Sequence, residues 1–188
     1  LEVGTFLKKL CDKYNFNYVF KSSFDKANRT SGSSVRGPGA NKGLEWLAKI
    51  KKELNVPVLT DVHDARQVLE AAEVVDMLEV AKYVEQKGNH KIILVERGSL
   101  FGYNNLVVDF RNLVEMSVPG FAVVFDATHA VQLPGAKNGK SSGLRNMVLP
   151  LTRAAVAVGV SGIFMEVHTN PNAALSDADT QLSFSLAE

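Results

Sequence analysis

The stretch FAVVFDATH, residues 121–129, runs five apolar residues straight into aspartate, threonine and histidine. Four other stretches share that form: Tyr18–Phe20 opens into KSSFDKANR (21–29), Pro57–Leu59 into TDVHD (60–64), Ile92–Val95 into ERG (96–98), and Gly162–Met165 into EVH (166–168). A short unbroken apolar run is what a parallel strand covered on both faces looks like. In a closed parallel barrel the reactive groups sit at the carboxyl ends of such strands, where loops hold them around one cavity. The pattern therefore predicts an enzyme site gathered at one end of a set of buried strands.

Working outward, the apolar periodicity predicts helices over 5–14, 40–54 (Trp46 and Leu47 on its apolar side), 64–72, 106–116 and 144–158. Strands are predicted over 18–22, 57–61, 74–79, 91–96, 121–126 and 162–167, with a turn at 98–105. Strands that alternate with helices at this spacing imply parallel pairing through helical crossovers. Six strands are two short of an eight-stranded barrel, which typically takes about 250 residues. Moreover, the chain opens on a helix, and only residues 81–91 separate two of the strand patterns, enough for one short crossover. The Gly-, Lys- and Ser-rich segment QLPGAKNGKSSGLR, 132–145, follows a strand end and reads either as a mobile active-site loop or as a surface connection.

The bulk composition fits one globular domain over 1–188: 46% of residues are hydrophobic and the mean hydropathy is close to zero. A formal net charge of +1 argues against a nucleic-acid partner bound by gross electrostatics. Any anion site must come from local clustering of lysine and arginine. The single cysteine, Cys11, can form no internal disulfide, and in FLKKLCDKYN it reads as an ordinary helix residue. No apolar stretch approaches the roughly 18 residues that span a membrane, and Leu1 opens into a helical pattern instead of a signal peptide. These features predict a cytoplasmic protein with no membrane partner.

Three clusters carry chemistry. KSSFDKANRTS (21–31) sets Lys21, Ser23, Lys26, Asn28 and Arg29 at one strand end, and ionised donors of this kind suit a phosphorylated or carboxylated ligand. A solvated loop accounts for Lys26 or Arg29 but not for Lys21, which is costly to bury at a strand end without an anionic partner. In ERGSLFGYNNLVVD (96–109), Arg97 is placed either to grip a phosphate through two hydrogen bonds or to pair structurally with Glu96 or Asp109. Asp126 and His129, Glu166 and His168, and Asp177 form the third constellation. Histidine and carboxylates from neighbouring strand ends can meet at a divalent cation such as zinc, iron or manganese, although a histidine at a strand end also serves as a hydrogen-bonding structural residue. On the same rim, Asp61 and His63 suit substrate hydroxyls and Asp64 suits a helix cap.

Read together, FKSSFDKANRTS, SVRGPG, VLTDVH, ERGSLFGYNNLVVDF, DATHAVQLPG and the run from AVAVGVSGIFMEVHTNP to SDADTQL closely resemble the 3-deoxy-D-manno-octulosonate 8-phosphate synthases over nearly the whole chain. The resemblance implies a (β/α)8 TIM barrel, usually a homotetramer, that condenses phosphoenolpyruvate with D-arabinose 5-phosphate and releases inorganic phosphate in lipopolysaccharide inner-core biosynthesis. It implies that Lys21, Ser23, Lys26 and Arg97 bind phosphoenolpyruvate and that Asn28, Arg29 and Thr30 contact the pentose phosphate, with Asp61 on the substrate rim. Lys26, Asn28, His129 and Asp177 are the residues implied in catalysis. No organic cofactor is implied. In metal-dependent members the ligands are a Cys, a His, a Glu and an Asp, and His129, Glu166 and Asp177 match the last three. SDADTQ resembles the metal-dependent pattern, whereas metal-independent members tend to read CDGP there.

Two departures stand out. The family's first strand, which bears the Cys or an Asn in its place, is absent before Leu1, and Cys11 does not align with it. An arginine-containing helix and the fifth strand, with its paired lysines, are absent where they belong between Val80 and Ala81. The expectation is that these segments are missing from the chain as written. The rival readings are the related synthase that uses erythrose 4-phosphate in aromatic amino-acid synthesis, disfavoured by KANRTS, and a non-catalytic phosphosugar-binding barrel.

Overall fold

Helices and parallel strands alternate along the chain, as the spacing of its apolar runs requires. A computed structural model describes residues 1–24, 37–62, 67–75, 77–79, 92–100, 102–118, 120–137 and 140–188. They fall into two compact units, Leu1–Gly88 and Asn89–Glu188.

The first unit contains α1 (Glu2–Lys13), β1 (Phe20–Lys21), α2 (Ala40–Leu54), β2 (Val58–Asp61), α3 (Gln67–Ala72) and β3 (Met77–Glu79). Its strands form a parallel sheet in the order β1-β2-β3, with Lys21 opposite Leu59 and Asp61 opposite Glu79. Val58 and Thr60 are fully buried while Leu59 and Asp61 are not, the alternation a pleated strand imposes. Buried Thr60 donates its hydroxyl to the Ser22 carbonyl at 2.8 Å, fixing the chain where it leaves β1. Phe24, Leu44, Leu47, Val58, Ala71 and Val75 make the core. Leu47 belongs to it as expected, but Trp46 is half exposed, with the Lys42 ammonium 5.3 Å from the centre of its ring. At the end of α2, Asn55 adopts a left-handed conformation that stops the helix.

The second unit contains β4 (Ile93–Glu96), β5 (Ser99–Leu100), β6 (Leu106–Val107), α4 (Phe110–Ser117), β7 (Ala122–Asp126), β8 (Gln132–Lys137), β9 (Lys140–Gly143), α5 (Val148–Val158), β10 (Gly162–Phe164) and α6 (Phe184–Ala187). Its parallel sheet has the order β10-β7-β4, with β7 central. Val123 and Phe125 on β7 pack with Leu113 of α4 and Val148 and Ala155 of α5. Burying each of the valine, leucine and phenylalanine side chains among them is worth about 1.5–3 kcal/mol.

The six expected parallel strands are thus present, and both sheets are parallel with helical crossovers. The described pairings form two sheets of three rather than a ring of eight. Two elements differ from the sequence reading. The helix expected over 106–116 starts later, at Phe110, because Leu106–Val107 pairs antiparallel with Ser99–Leu100 and Asp109 then caps the helix by accepting from the Arg111 amide at 3.0 Å. The segment 132–145, read from sequence as a loop or a surface connection, carries two paired strands: β8 and β9 are antiparallel, with Gln132 opposite Gly143.

The Asp109 carboxylate also accepts from the Arg111 side chain, and these bonds hold it at about 2, below its ordinary 3.8. A depressed folded value means that the cap's contribution is complete above the unfolded value and is lost as pH falls through about 2. Carbon-detected NMR should therefore place the Asp109 midpoint near 2, and Arg111→Ala should raise it. A second expectation concerns Gly43 in α2, where an added Cβ would lie 2.3 Å from the Cβ of Phe24. An exposed helical glycine gains stability on change to alanine, but here overpacking reverses the sign. Urea unfolding of Gly43→Ala should show a loss of about 1–3 kcal/mol.

Candidate functional site

Both sheets direct their carboxyl ends into polar residues. In the first unit Lys21 ends β1, Ser22 donates its amide to the Leu59 carbonyl at 3.2 Å, Ser23 follows, and Asp61 ends β2. Three of the expected substrate residues, Lys21, Ser23 and Asp61, therefore lie at the carboxyl end of one sheet. Lys26, Asn28, Arg29 and Thr30 lie outside the described residues, as do His63, Asp64 and the Val80–Ala81 junction.

In the second unit β4 ends in Glu96 and Arg97, β7 ends in Asp126, and Glu166 follows β10. Neither structural partner foreseen for Arg97 holds it. Glu96 is buried and accepts from the Gly98 amide at 2.6 Å and the Asn112 carboxamide at 3.2 Å, while Asp109 is occupied with Arg111. The Arg97 side chain is instead 55% exposed, with Nε 3.8 Å from Asp126 Oδ2.

Asp126 organises the turn after β7. One oxygen accepts from the His129 amide at 2.9 Å and lies 3.4 Å from the Thr128 hydroxyl. The other lies 2.7 Å from His129 Nδ1. A buried carboxylate at this distance favours the tautomer with its proton on Nδ1 and turns Nε2 toward Glu166. The ring stacks on Phe164 at 5.7 Å between centroids, and Nε2 lies 3.5 Å from Glu166 Oε1.

The Glu166 backbone is pinned from two sides: its amide donates to Thr128 Oγ1 at 3.2 Å and its carbonyl accepts from the Leu182 amide at 2.9 Å. Asp177, with φ 54, takes a left-handed conformation that aspartate tolerates better than most side chains. The Thr180 and Gln181 amides both donate to its carbonyl at 3.0 Å.

One ligand atom from each of His129, Glu166 and Asp177 lies within 4.8 Å of the others. Two carboxylates brought this close to each other and to an imidazole concentrate negative charge that a cation would offset. The donor set, one nitrogen and two oxygens, is that of a divalent transition metal. His168 is not part of the group: its Nδ1 accepts from the Asn170 amide at 3.0 Å and its own amide bonds Leu182, the structural role open to a strand-end histidine.

Residues that the sequence reading passed over surround this group. Gln132 donates to Asp177 at 2.6 Å, Gln181 to Glu166 at 3.3 Å, and Ser142 to Asp179 at 2.8 Å, while Arg145 donates to the Ala178 carbonyl. Their only signal is proximity, since Gln132 opens QLPG and Gln181 closes SDADTQ.

The DAHP synthetase I family model matches residues 1–81 and again residues 76–188. A 2-dehydro-3-deoxyphosphooctonate aldolase from Desulfotalea psychrophila is 42% identical over 224 positions that take in all of this chain and 80% of the relative. Proteins of the same name from Cyanothece and Xylella fastidiosa are 43% and 45% identical, covering 100% and 94% of this chain and 82% and 78% of their own lengths. That name is a synonym of the octulosonate phosphate synthase. The chain belongs to the 3-deoxy-D-manno-octulosonate 8-phosphate synthases, within the DAHP synthetase I family. For this synthase the DATH turn is the part of the site most completely defined by its own hydrogen bonds. Asp126→Asn keeps the shape but removes the carboxylate, and should let the His129 proton move to Nε2. Long-range proton–nitrogen NMR reads the tautomer, and an unchanged ring would reject this role for Asp126.

Proposed function

We propose that this chain condenses phosphoenolpyruvate with D-arabinose 5-phosphate, giving 3-deoxy-D-manno-octulosonate 8-phosphate and inorganic phosphate for the lipopolysaccharide inner core. The observation that carries the reading is the convergence of His129, Glu166 and Asp177 at a sheet end that also bears Arg97, in a member of this synthase family. The relatives' name favours arabinose 5-phosphate over erythrose 4-phosphate.

In the reaction C3 of phosphoenolpyruvate bonds to the aldehyde carbon of the pentose phosphate, the oxygen of water adds at C2, and the C–O bond to phosphate breaks with that electron pair leaving on phosphate. Both substrates are polyanions, so fixed cations offset their charge and orient the reacting carbons. Arg97 is exposed enough to bind the phosphate of phosphoenolpyruvate while Asp126 anchors its Nε side. The family resemblance assigns Lys21, Ser23 and Lys26 to phosphoenolpyruvate as well. Asn28, Arg29 and Thr30 hold the pentose phosphate, Asp61 accepts from its hydroxyls, and Lys26 and Asn28 act beside the reacting atoms. His129 Nε2, Glu166 and Asp177 would hold a zinc, iron or manganese ion, which when bound supplies Lewis acidity toward the aldehyde oxygen or the attacking water. Asp126, 2.7 Å from Nδ1, orients the ring so that Nε2 faces Glu166.

The finer architecture belongs to the same reading: one catalytic domain over 1–188, of (β/α)8 barrel type, with family segments missing between Val80 and Ala81. The two-piece family match, which changes over at residues 76–81, supports this. So does an alignment of 224 positions that contains only 188 residues of this chain. A cytoplasmic homotetramer completes the proposal. Among the described residues no helix is long and apolar enough to cross a membrane.

The test is phosphate release from phosphoenolpyruvate. Release should require arabinose 5-phosphate, fall away with erythrose 4-phosphate, stop on chelation and return with zinc or manganese. Full activity with no bound metal would reject the metal assignment. Binding of both substrates without turnover would favour a non-catalytic barrel. Arg97→Ala should lower kcat/KM for phosphoenolpyruvate by about one to two powers of ten, since a hydrogen bond to a charged group contributes about 1.5–3 kcal/mol. Unchanged kinetics would remove Arg97 from the site.

A further inference from the structure

Each carboxylate of the His129–Glu166–Asp177 group has one oxygen taken by a buried glutamine. Gln181 Nε2 donates to Glu166 Oε2 at 3.3 Å and to the Ser176 carbonyl at 3.0 Å. The other oxygen of the same carboxylate, Oε1, is the one 3.5 Å from His129 Nε2. Gln132 Nε2 donates to Asp177 Oδ1 at 2.6 Å. Gln132 and Gln181 are only 7% and 9% exposed. A carboxamide N–H₂ buried at this level costs stability unless it is bonded, so the two glutamines are held to these acceptors as firmly as the acceptors are held to them.

Both glutamines also belong to backbone that shapes the site. Gln132 begins β8 and pairs with Gly143, where an added Cβ would fall 2.0 Å from Thr180 Cγ2, so the hairpin lies directly on the turn that follows Asp177. The Gln181 amide bonds the Asp177 carbonyl while its side chain reaches Glu166, so one residue spans two of the three ligands. His129 has the equivalent support from Asp126. Every member of the group therefore has its own outer partner.

We propose that Gln132 and Gln181 are positioning residues that commit one oxygen of Asp177 and one of Glu166, making each carboxylate a one-oxygen ligand to the cation. This rests on the metal reading given above. A ligand set restricted in this way suits a transition-metal ion of low coordination number and disfavours calcium, which takes six to eight oxygens and uses two-oxygen carboxylates. Neither glutamine touches substrate in this role.

Gln132→Met and Gln181→Met retain length and approximate volume while removing the donor. The purified chain, stripped of metal, is titrated with cobalt(II) against a competing chelator, and the visible d–d bands of the cobalt form are recorded. Unfolding midpoints are measured in excess chelator. Loss of an outer partner should weaken cobalt(II) binding by about 10–100-fold and shift the bands. Calcium competition should strengthen, and the metal-free midpoints should fall by no more than a few degrees. Unchanged affinity and bands in both variants, with cobalt(II) bound by the parent chain, would overturn the positioning role and leave the metal reading standing. Weaker affinity with unchanged bands and a falling metal-free midpoint would assign the glutamines a purely structural role. A parent chain that binds no cobalt(II) would overturn both readings. If Gln132→Met fails to fold, Gln181→Met decides alone, because Gln181 lies outside the β8–β9 pair, just after the Asp177 turn.

Discussion

The second unit depends on how one buried carboxylate is satisfied. Asp126 stands at the end of the central strand of its sheet, and an ionised group withdrawn from water there has to be paired and hydrogen-bonded. The chain meets that demand locally. The turn after the strand brings the His129 amide, the His129 ring and the Thr128 hydroxyl to the two oxygens, and Arg97 approaches from the neighbouring strand end. Satisfying the carboxylate thus sets the direction of an imidazole and favours one of its tautomers, and the same carboxylate holds a guanidinium within reach of solvent.

From that turn the rest of the group is assembled by backbone bonds as much as by side chains. Thr128 bridges to the Glu166 amide, and Leu182 bridges the Glu166 and His168 segments. The hairpin places Gln132 and Ser142 against the Asp177 turn. Three stretches far apart in sequence are brought to one place by hydrogen bonds that tie their backbones and side chains together, the kind of support that holds a site's geometry.

Much of this was legible in the sequence because parallel strands buried on both faces leave continuous apolar runs, and their ends are marked by the first ionisable residue. The runs ending at Lys21, Asp61, Glu96 and Asp126 became strands with those residues at their carboxyl ends. His129, Glu166 and Asp177 were likewise found together. The hairpin over 132–143 was not legible, because Gly, Lys and Ser carry no alternating apolar signal and its pairing is fixed by contacts with the Asp177 turn instead of by its own pattern. Nor were Gln132 and Gln181, since an uncharged amide gives no sign in sequence of which carboxylate it will meet. Arg97 was ambiguous for a related reason: two acidic neighbours in sequence, Glu96 and Asp109, are taken by an amide and a helix cap that only the fold reveals.

Asp177 answers to two selective filters at once. Its backbone stands in the left-handed region, which glycine, asparagine and aspartate enter at little cost and β-branched residues do not. On the proposed metal reading its side chain also has to supply a charged oxygen, which only aspartate and glutamate provide. Each filter taken alone admits several residues, and their intersection leaves one. Evolution can therefore discard the charge here while keeping the turn, by way of asparagine or glycine. It has no comparable route for keeping the charge while changing the turn.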